Sequence, residues 1–311
     1  MKVLSAPAEF SPDARPVCAA IGVFDGVHLG HQAVLRQTLE DAKGLGAWSV
    51  AVTFDRHPNT IVAPAHVPPL IYPLSKKLET LSALGLDAAY VIRFDQTFSQ
   101  IPGERFVLDL ARDFGQIKSI SVGETFMFGQ KRSGNVALLR RLGPALGFEV
   151  RALPDVAESG QPISSTRIRE ALRVGALEAA SRMLGRAYSL RGAVIPGLRL
   201  GRQLGFPTAN LQIAGLAVPP TGVYVADALL GQERFRAAVN IGHRPTVSPV
   251  PQLLVEAHLL AVDRDIYHQE LELVFLKKLR DEHRFPSQNA LRAQIAKDVA
   301  DAAKYPQAKA V

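Results

Sequence analysis

The sequence predicts two domains of different class: an α/β domain with a parallel sheet, followed by a small antiparallel β domain that ends in a helix. The chain has 311 residues, which is enough for two domains at about 100–200 residues each. Apolar runs alternate with helix-like segments in the first half, whereas short β-branched runs separated by turn residues fill the second. The pattern changes near residues 180–186, so we divide the chain into residues 1–183 and 184–311.

In the first half, the alternation of strands and helices indicates a parallel sheet with helices on both faces. The predicted strands cover residues 17–23, 48–54, 88–94 and 117–122, and the predicted helices cover residues 30–44, 75–84 and 102–114. One amphipathic helix is predicted over 165–181, with Ser164 or Ser165 as its N-cap. Sheets of this kind bind ligands at the carboxyl ends of their strands.

In the second half, short strands bounded by turn residues are typical of a small antiparallel barrel or sandwich. The predicted strands cover residues 187–194, 222–230, 235–241, 253–260 and 269–279, with turns at 219–220 and 249–251. A final helix is predicted over 287–303, because Leu291, Ile295 and Val299 recur at helical spacing.

Composition narrows the class of protein. The sequence is 47% hydrophobic, and we find no apolar run near the roughly 20 residues that span a bilayer and no apolar segment typical of a secretory signal. A single cysteine, Cys18, fits a reducing compartment, so we expect a cytoplasmic protein. The net charge is +7, but the basic residues are scattered, and we interpret the pairs at 76–77 and 277–278 as solvated surface rather than a nucleic-acid face.

The first chemical motif is GVFDGVHLGH, where a strand ends and a helix begins. His28 and His31 flank Gly30 at that helix start, which attracts anions and lets backbone approach a phosphate. Both histidines can donate hydrogen bonds to the α-phosphate of ATP and to the leaving pyrophosphate. A zinc pair is the alternative, but no further ligands stand at zinc-site spacing.

A second phosphate-binding candidate covers residues 163–169, with the sequence ISSTRIR. Ser164, Ser165 and Thr166 offer hydroxyls and amides at a helix start, and Arg167 or Arg169 offers a planar charged fork. The hydroxyl residues alone are equally typical of a simple N-cap.

A glycine-rich segment in the second half has a different chemistry. Gly197, Gly201 and Gly205 are spaced by four, which predicts a loop whose amides can face phosphates, although the Gly-Lys-Ser/Thr ending of a Walker A motif is absent. Thr208 and Asn210 follow, and both offer uncharged oxygens to Mg²⁺. A glycine-rich turn between barrel strands is the alternative interpretation.

Glu256 interrupts the apolar run LLVEAHLL and shares a face of its strand with His258, since side chains on a strand alternate. A carboxylate in such surroundings can take a proton from a substrate hydroxyl. The alternative is a solvent-facing polar stripe on an edge strand.

Together these motifs resemble the bacterial bifunctional riboflavin kinase/FAD synthetase family. GVFDGVHLGHQ, TFDRHP, GETFMFG and ISSTRIR are similar to its HxGH adenylyltransferase half, and the string GLRLGRQLGFPTAN is similar to the riboflavin kinase signature. Residues 239–246 resemble a kinase loop and residues 265–267 a kinase turn. The resemblance implies a Rossmann-like parallel sheet and a six-stranded antiparallel kinase barrel. It also implies phosphorylation of riboflavin to FMN with MgATP, and adenylyl transfer from ATP to FMN giving FAD and pyrophosphate.

The resemblance also implies roles for individual residues. Glu256 is the kinase base, and the catalytic residues of adenylyl transfer are His28 and His31. The ATP site of the adenylyltransferase comprises Gly22, Phe24, Gly30, Ser164, Ser165, Thr166 and Arg167, and its FMN site comprises Asp55, His57 and Thr125. The kinase binds ATP through Gly197, Gly201, Arg202, Gly205, Thr208 and Asn210, the last two also holding Mg²⁺, and binds flavin through Asn240, Arg244 and Arg280.

The expected partners are riboflavin, FMN and ATP, with no nucleic acid and no membrane, in a monomer or weak homo-oligomer. Thr125 stands where the family carries Asp or Asn, so we expect FAD formation to be the weaker activity if either is weak. One alternative is a riboflavin kinase whose adenylyltransferase half is weakened or lost and serves as a flavin-binding regulatory module. A different HxGH transferase is the other, but such an enzyme needs no kinase barrel.

Overall fold

The computed structural model describes residues 1–6, 9, 15–197, 200–244 and 252–306. It divides into two compact units, one of Met1–Leu70 with Leu74–Ser165 and the other of Ile71–Pro73 with Thr166–Val311. This division reflects how the residues pack together, and its break between Ser165 and Thr166 falls within a helix. The predicted domain boundary between residues 183 and 184 stays a prediction, and the turn predicted at 249–251 lies outside the described residues.

The first unit is an α/β unit. Its strands and helices are β1 (Lys2–Leu4), β2 (Val17–Ile21), α1 (Leu29–Leu45), β3 (Trp48–Phe54), α2 (Asn59–Val62), α3 (Leu74–Ala83), β4 (Ala88–Ile92), α4 (Gln96–Ser99), α5 (Gly103–Phe114), β5 (Ile117–Gly123), β6 (Met127–Phe128), β7 (Gly134–Asn135), α6 (Val136–Leu146), β8 (Glu149–Leu153), β9 (Ala157–Glu158) and β10 (Gln161–Pro162).

Six of these strands form one parallel sheet in the order β1-β4-β3-β2-β5-β8, with β2 near its centre. Every residue of β2 is buried, as its continuous apolar sequence requires for a strand covered on both faces. Ala19 packs into a core with α5 and α6, whereas Ala20 packs into a core with α1 and α3. The alternation of side chains along β2 therefore gives each face of the sheet its own helical layer.

The second unit holds the remaining elements. These are α7 (Ser165–Arg173), α8 (Leu177–Leu184), β11 (Ser189–Ile195), α9 (Leu200–Gln203), β12 (Ala209–Leu211), β13 (Gly222–Leu230), β14 (Glu233–Arg244), β15 (Gln252–Leu259), β16 (Glu270–Arg280) and α10 (Gln288–Lys304). Its six strands close into a barrel in the order β11-β12-β15-β14-β13-β16, and every pair is antiparallel. The predicted α/β domain, antiparallel barrel and terminal helix are confirmed.

Several predicted elements need correction. The helix predicted over 165–181 is two helices, because Gly175 adopts a left-handed φ of 79° between α7 and α8. Strands β1, β8 and β12 and helix α6 were not predicted. Strands β1 and β12 have only three residues each, so neither leaves a periodic pattern long enough to recognise.

Candidate functional sites

The two histidines of the first motif lie at the start of α1, the helix that follows β2. His28 is the N-cap of α1, and its Nδ1 accepts a hydrogen bond from the His31 amide at 3.3 Å. The two imidazole rings stack with centroids 3.6 Å apart, and the Phe24 ring meets His31 edge-on at 5.3 Å. Phe24 and Val27 both adopt positive φ, a strained conformation for these residues that is typical of functional loops.

The glycines of this motif leave room for its aromatic rings. A Cβ atom on Gly22 would come within 2.8 Å of the Phe24 ring, and one on Gly30 would come within 3.2 Å of the His28 ring. The sequence predicted that Gly30 lets backbone approach a phosphate. The packing supplies a second reason for glycine there, since the His28 ring occupies the space beside it.

The serine-rich motif reaches the same loop. Ser165 is the first residue of α7, and its hydroxyl donates to the carbonyl of Asp25 at 3.0 Å. Of the two predicted caps, Ser164 therefore occupies the position before the helix. Thr166 and Arg167 follow in the first turn, where Thr166 is exposed and Arg167 is half-buried. Both residues belong to the second unit.

A cavity of about 520 Å³ opens in the first unit beyond the end of β2. Ile21, Val23 and His57 lie on its wall, together with six phenylalanines: Phe54, Phe94, Phe98, Phe106, Phe126 and Phe128. The rings of Phe126 and Phe128 stack at 5.3 Å, and edge contacts join the others. Such a cavity fits a flat, largely apolar ring system. Sequence reasoning missed this set, because a count of aromatic residues does not say which of them converge.

Of the three residues predicted to bind FMN, only His57 is among the described residues on this cavity wall. The Asp55 carboxylate accepts from the Phe94 amide at 2.9 Å and pairs with Arg56 at 2.8 Å. Burial raises the pKa of Asp55, but the hydrogen bonds from Arg56 and the Phe94 amide outweigh it, so that the pKa lies below its usual value. Thr125 is exposed on the loop before Phe126.

Lys77 is a residue that sequence reasoning missed. Its ammonium is buried and donates to the Phe54 carbonyl at 2.8 Å, the Thr53 hydroxyl at 3.1 Å and the Val23 carbonyl at 3.2 Å. Burial lowers the pKa of Lys77 to about 8, although the negative charges of Asp25 and Asp55 act to raise it. The interpretation of this lysine as solvated surface is therefore wrong. Helical periodicity placed it on α3 but could not show that its amine reaches the ends of β2 and β3.

The barrel holds the second site. A cavity of about 720 Å³ is lined by Glu256, Asn240, Arg280 and Thr208, with the apolar face of α10 on the same wall. Glu256 on β15 pairs in register with Asn210 of β12 on one side and with Asn240 of β14 on the other. Three residues predicted separately from sequence thus lie side by side on adjacent strands. The alternative of an edge-strand stripe is excluded for Glu256, because β15 is paired on both sides in a closed barrel.

His258 faces the same cavity as Glu256, as the strand alternation predicted. Its Nδ1 lies 2.8 Å from the Pro207 carbonyl, and its ring meets Phe206 edge-on. These contacts tie β15 to the segment that carries Thr208.

A smaller cavity of about 370 Å³ adjoins the barrel cavity of about 720 Å³, since Thr208 belongs to the walls of both. Arg202 and Tyr267 are also on its wall, so the glycine-rich segment and the turn at 265–267 meet there. The barrel therefore offers two neighbouring compartments separated at Thr208. Two substrates that exchange a group need such an arrangement.

The glycines of the second motif allow close packing around these residues. A Cβ atom on Gly197 would overlap the side-chain amide of buried Asn210, and one on Gly201 would overlap the Phe206 carbonyl and touch Thr208. Gly205 adopts a left-handed φ of 89°, which favours glycine. Leu198 and Arg199 of this motif lie outside the described residues.

Arg280 is fixed by the terminal helix. Its guanidinium forms a two-pronged contact with the Asp298 carboxylate of α10, at 3.1 Å from Nε and 2.7 Å from a terminal nitrogen. It also lies 5.6 Å from the centre of the Phe285 ring. Asp298 was not singled out in the sequence, where it is one acid among several on a helix. The side chain of Arg244 lies outside the described part of the structure.

Within the described ranges, no group of three or more His, Cys, Asp and Glu side chains is placed to hold a metal ion. The histidine pair of the first motif therefore gains no third ligand of these types there. None of the described helices is long and apolar enough to cross a membrane.

Family models match both parts of the chain. The FAD synthetase model matches residues 10–167, and the riboflavin kinase model matches residues 184–306.

Curated proteins match along nearly the whole length. Bifunctional riboflavin kinase/FMN adenylyltransferase from Escherichia coli K12 is 36% identical over 307 residues, covering 98% of both chains. The proteins of that name from Pseudomonas fluorescens and Haemophilus influenzae are each 38% identical, the first covering 94% of this chain and 93% of its own, the second 93% and 94%. A solved structure described as a macrolide-efflux protein from Streptococcus pneumoniae matches with a TM-score of 0.83 at 26% identity, covering 98% of this chain and 99% of that one.

Proposed function

The chain belongs to the bifunctional riboflavin kinase/FMN adenylyltransferase family, and we propose that its barrel and its parallel sheet each hold one of the two active sites. The enzyme phosphorylates riboflavin to FMN and adenylylates FMN to FAD. The alternative of a kinase with a lost adenylyltransferase half is not favoured, because the FAD synthetase model covers that half and full-length relatives carry both activities in their names. The domain boundary at residues 183 and 184 is part of this proposal.

The position of Glu256 carries the kinase assignment. It lies between Asn210 and Asn240, in the cavity that shares Thr208 with a smaller neighbour. Riboflavin occupies the larger cavity, with Arg280 and Asn240 among its contacts, and ATP occupies the smaller one beside Arg202. Glu256 takes the proton of the ribityl 5′-hydroxyl as its oxygen bonds to the γ-phosphorus of ATP, and the bond to the β,γ-bridging oxygen breaks to release ADP.

Thr208 and Asn210 are the residues that we expect to hold Mg²⁺. Both present uncharged oxygens, and Thr208 lies at the junction of the two cavities. Phosphate oxygens of ATP would supply further oxygen ligands there, which are the type that Mg²⁺ prefers. When bound, the ion neutralises charge on the transferring phosphate. The chain's own contribution is to hold both oxygen donors in place through the close packing of Gly197 and Gly201.

The first unit carries adenylyl transfer. The six-phenylalanine cavity takes the isoalloxazine ring of FMN, with His57 on its wall. A phosphate oxygen of FMN attacks the α-phosphorus of ATP, and pyrophosphate leaves with the electrons of the broken bond. His28 and His31, together with Ser164 and Ser165 at the start of α7, stabilise the charge that develops on these phosphates. Gly22, Phe24 and Gly30 shape the loop.

The kinase assignment is tested by Glu256→Gln, which keeps the shape of the side chain but cannot accept the proton. With riboflavin and MgATP, FMN formation should fall by about 10²–10⁴-fold, the usual contribution of a general base. FMN supplied directly should still become FAD at the wild-type rate. Chromatographic separation of the three flavins reports both steps in one assay.

Glu270→Gln is the matched control, because Glu270 is an exposed glutamate at the start of β16, and both activities should be unchanged. If Glu256→Gln formed FMN at the wild-type rate, Glu256 would not be the base. We further propose a cytoplasmic protein that is a monomer or weak homo-oligomer, in which FAD formation is the weaker activity if either is weak, because Thr125 stands where the family carries Asp or Asn.

A further inference from the structure

The strongest unused feature of the molecule is the buried ammonium of Lys77. It lies at the carboxyl ends of two adjacent parallel strands, which is where sheets of this type hold their ligands. Three oxygen acceptors surround it: the carbonyls of Val23 and Phe54 and the hydroxyl of Thr53. The Thr53 hydroxyl itself donates to the Val23 carbonyl at 3.1 Å, so the four groups form one closed network.

The two carbonyls belong to the segments that carry the two substrate sites. Val23 is followed at once by Phe24 and by the loop that ends at His28. Phe54 lies on the wall of the aromatic cavity and is followed by the segment that carries His57. The last backbone hydrogen bond between β2 and β3 runs from the Gly22 amide to the Val52 carbonyl at 3.1 Å, just beyond the paired register that ends at Ile21 and Val52. Beyond that bond, the Thr53 hydroxyl and the Lys77 ammonium both donate to the Val23 carbonyl, and Lys77 also joins it to the Phe54 carbonyl.

We propose that Lys77 is a positioning residue for adenylyl transfer, which holds the phosphate-binding loop and the flavin cavity at the separation that the reaction needs. This inference rests on the assignment of adenylyl transfer to the first unit. The physical reason is that an error of about 1 Å in the distance between reacting groups lowers the reaction rate by about 100-fold. Lys77 itself does not line the aromatic cavity.

The ammonium form matters because it has three N–H donors for three acceptors, whereas the neutral amine has two. Burial lowers the pKa of Lys77 to about 8, and Asp25 and Asp55 are the charged groups that act on it in the opposite direction. The protonated fraction therefore falls as pH rises through about 8. One hydrogen bond of the network is lost in the same range, and the rate of adenylyl transfer should fall with it.

The test uses the full-length enzyme with Lys77→Met, which removes the donors, and Lys77→Gln, which keeps an uncharged donor one atom shorter. For FMN and MgATP, Lys77→Met should lower kcat by about 10- to 100-fold, with smaller changes in either KM. The kinase reaction of the same molecules should stay within about twofold of the wild type. Lys43→Met is the control, since Lys43 is an exposed lysine on α1 of the same unit, and it should leave both reactions unchanged.

A pH profile separates positioning from simple support of the fold. In the wild type, kcat for FAD formation should decline above about pH 8, and in Lys77→Gln this decline should be absent. The inference is overturned if Lys77→Met and the wild type share the same kcat, or if the two pH profiles coincide. Should Lys77→Met fail to fold, the profiles of the wild type and Lys77→Gln decide alone. The assignment of the reaction is tested separately, because it fails only if His28→Ala with His31→Ala leaves FAD formation intact.

Discussion

At the scale of single residues, Gly22, Gly30 and Gly197 share one property: a Cβ atom on each would meet a side chain of its own motif. The sequence identified these glycines through their place in recognisable motifs. It could not supply the reason, because the rings and the amide that they accommodate come from folded loops. Lys77 shows the opposite case, since its type and helical position gave no sign of burial. Local sequence patterns therefore identified the residues of the candidate sites better than they identified the side chains that hold those residues in place.

Gly197→Ala tests this packing in the kinase. The new methyl would overlap the side chain of Asn210, so we expect overpacking of about 1–3 kcal/mol that displaces the asparagine. Steady-state kinetics should show kcat/KM for riboflavin phosphorylation reduced by about 5- to 150-fold, with adenylyl transfer unchanged. Gly44→Ala is the control, because an added Cβ there meets nothing within 4 Å, and both reactions should keep their rates. Normal kinase activity in Gly197→Ala would refute the packing argument.

At the scale of elements, most long strands and helices were predictable, because their periodicity extends over five residues or more. The break between α7 and α8 was not, since Gly175 interrupts an amphipathic pattern that continues on both sides. The apolar face of α10 was predicted, but its function depends on what it covers. The structure places that face on the wall of the barrel cavity, where Asp298 of the same helix fixes Arg280.

Asp298→Ala tests the contribution of α10. Removing a buried carboxylate leaves the Arg280 charge without its main partner, which we expect to lower the free energy of unfolding of the barrel by about 2–4 kcal/mol. The KM for riboflavin should rise as Arg280 loses its fixed orientation. Denaturant unfolding and kinase kinetics measure the two effects. Asp301→Ala, at an exposed position of α10, should change neither quantity, and equal effects of the two substitutions would argue against a special role for Asp298.

At the scale of the whole molecule, one unit holds the parallel sheet and the aromatic cavity, and the other holds the barrel and its two cavities. The composition and the change of pattern predicted this division into an α/β and a β part. The shapes of the cavities could not be predicted, because they arise from residues far apart in the chain. The six phenylalanines around the cavity of the first unit span positions 54 to 128.

The central claim is that two separate sites perform the two reactions, and one crossed assay tests it most directly. Glu256→Gln and the double variant His28→Ala with His31→Ala are each given riboflavin or FMN with MgATP, and the flavins are separated by chromatography. We predict that Glu256→Gln forms FMN from riboflavin about 10²–10⁴-fold more slowly yet converts supplied FMN to FAD at the wild-type rate, while the histidine variant accumulates FMN and forms no FAD. Loss of both reactions in either folded variant would contradict the account.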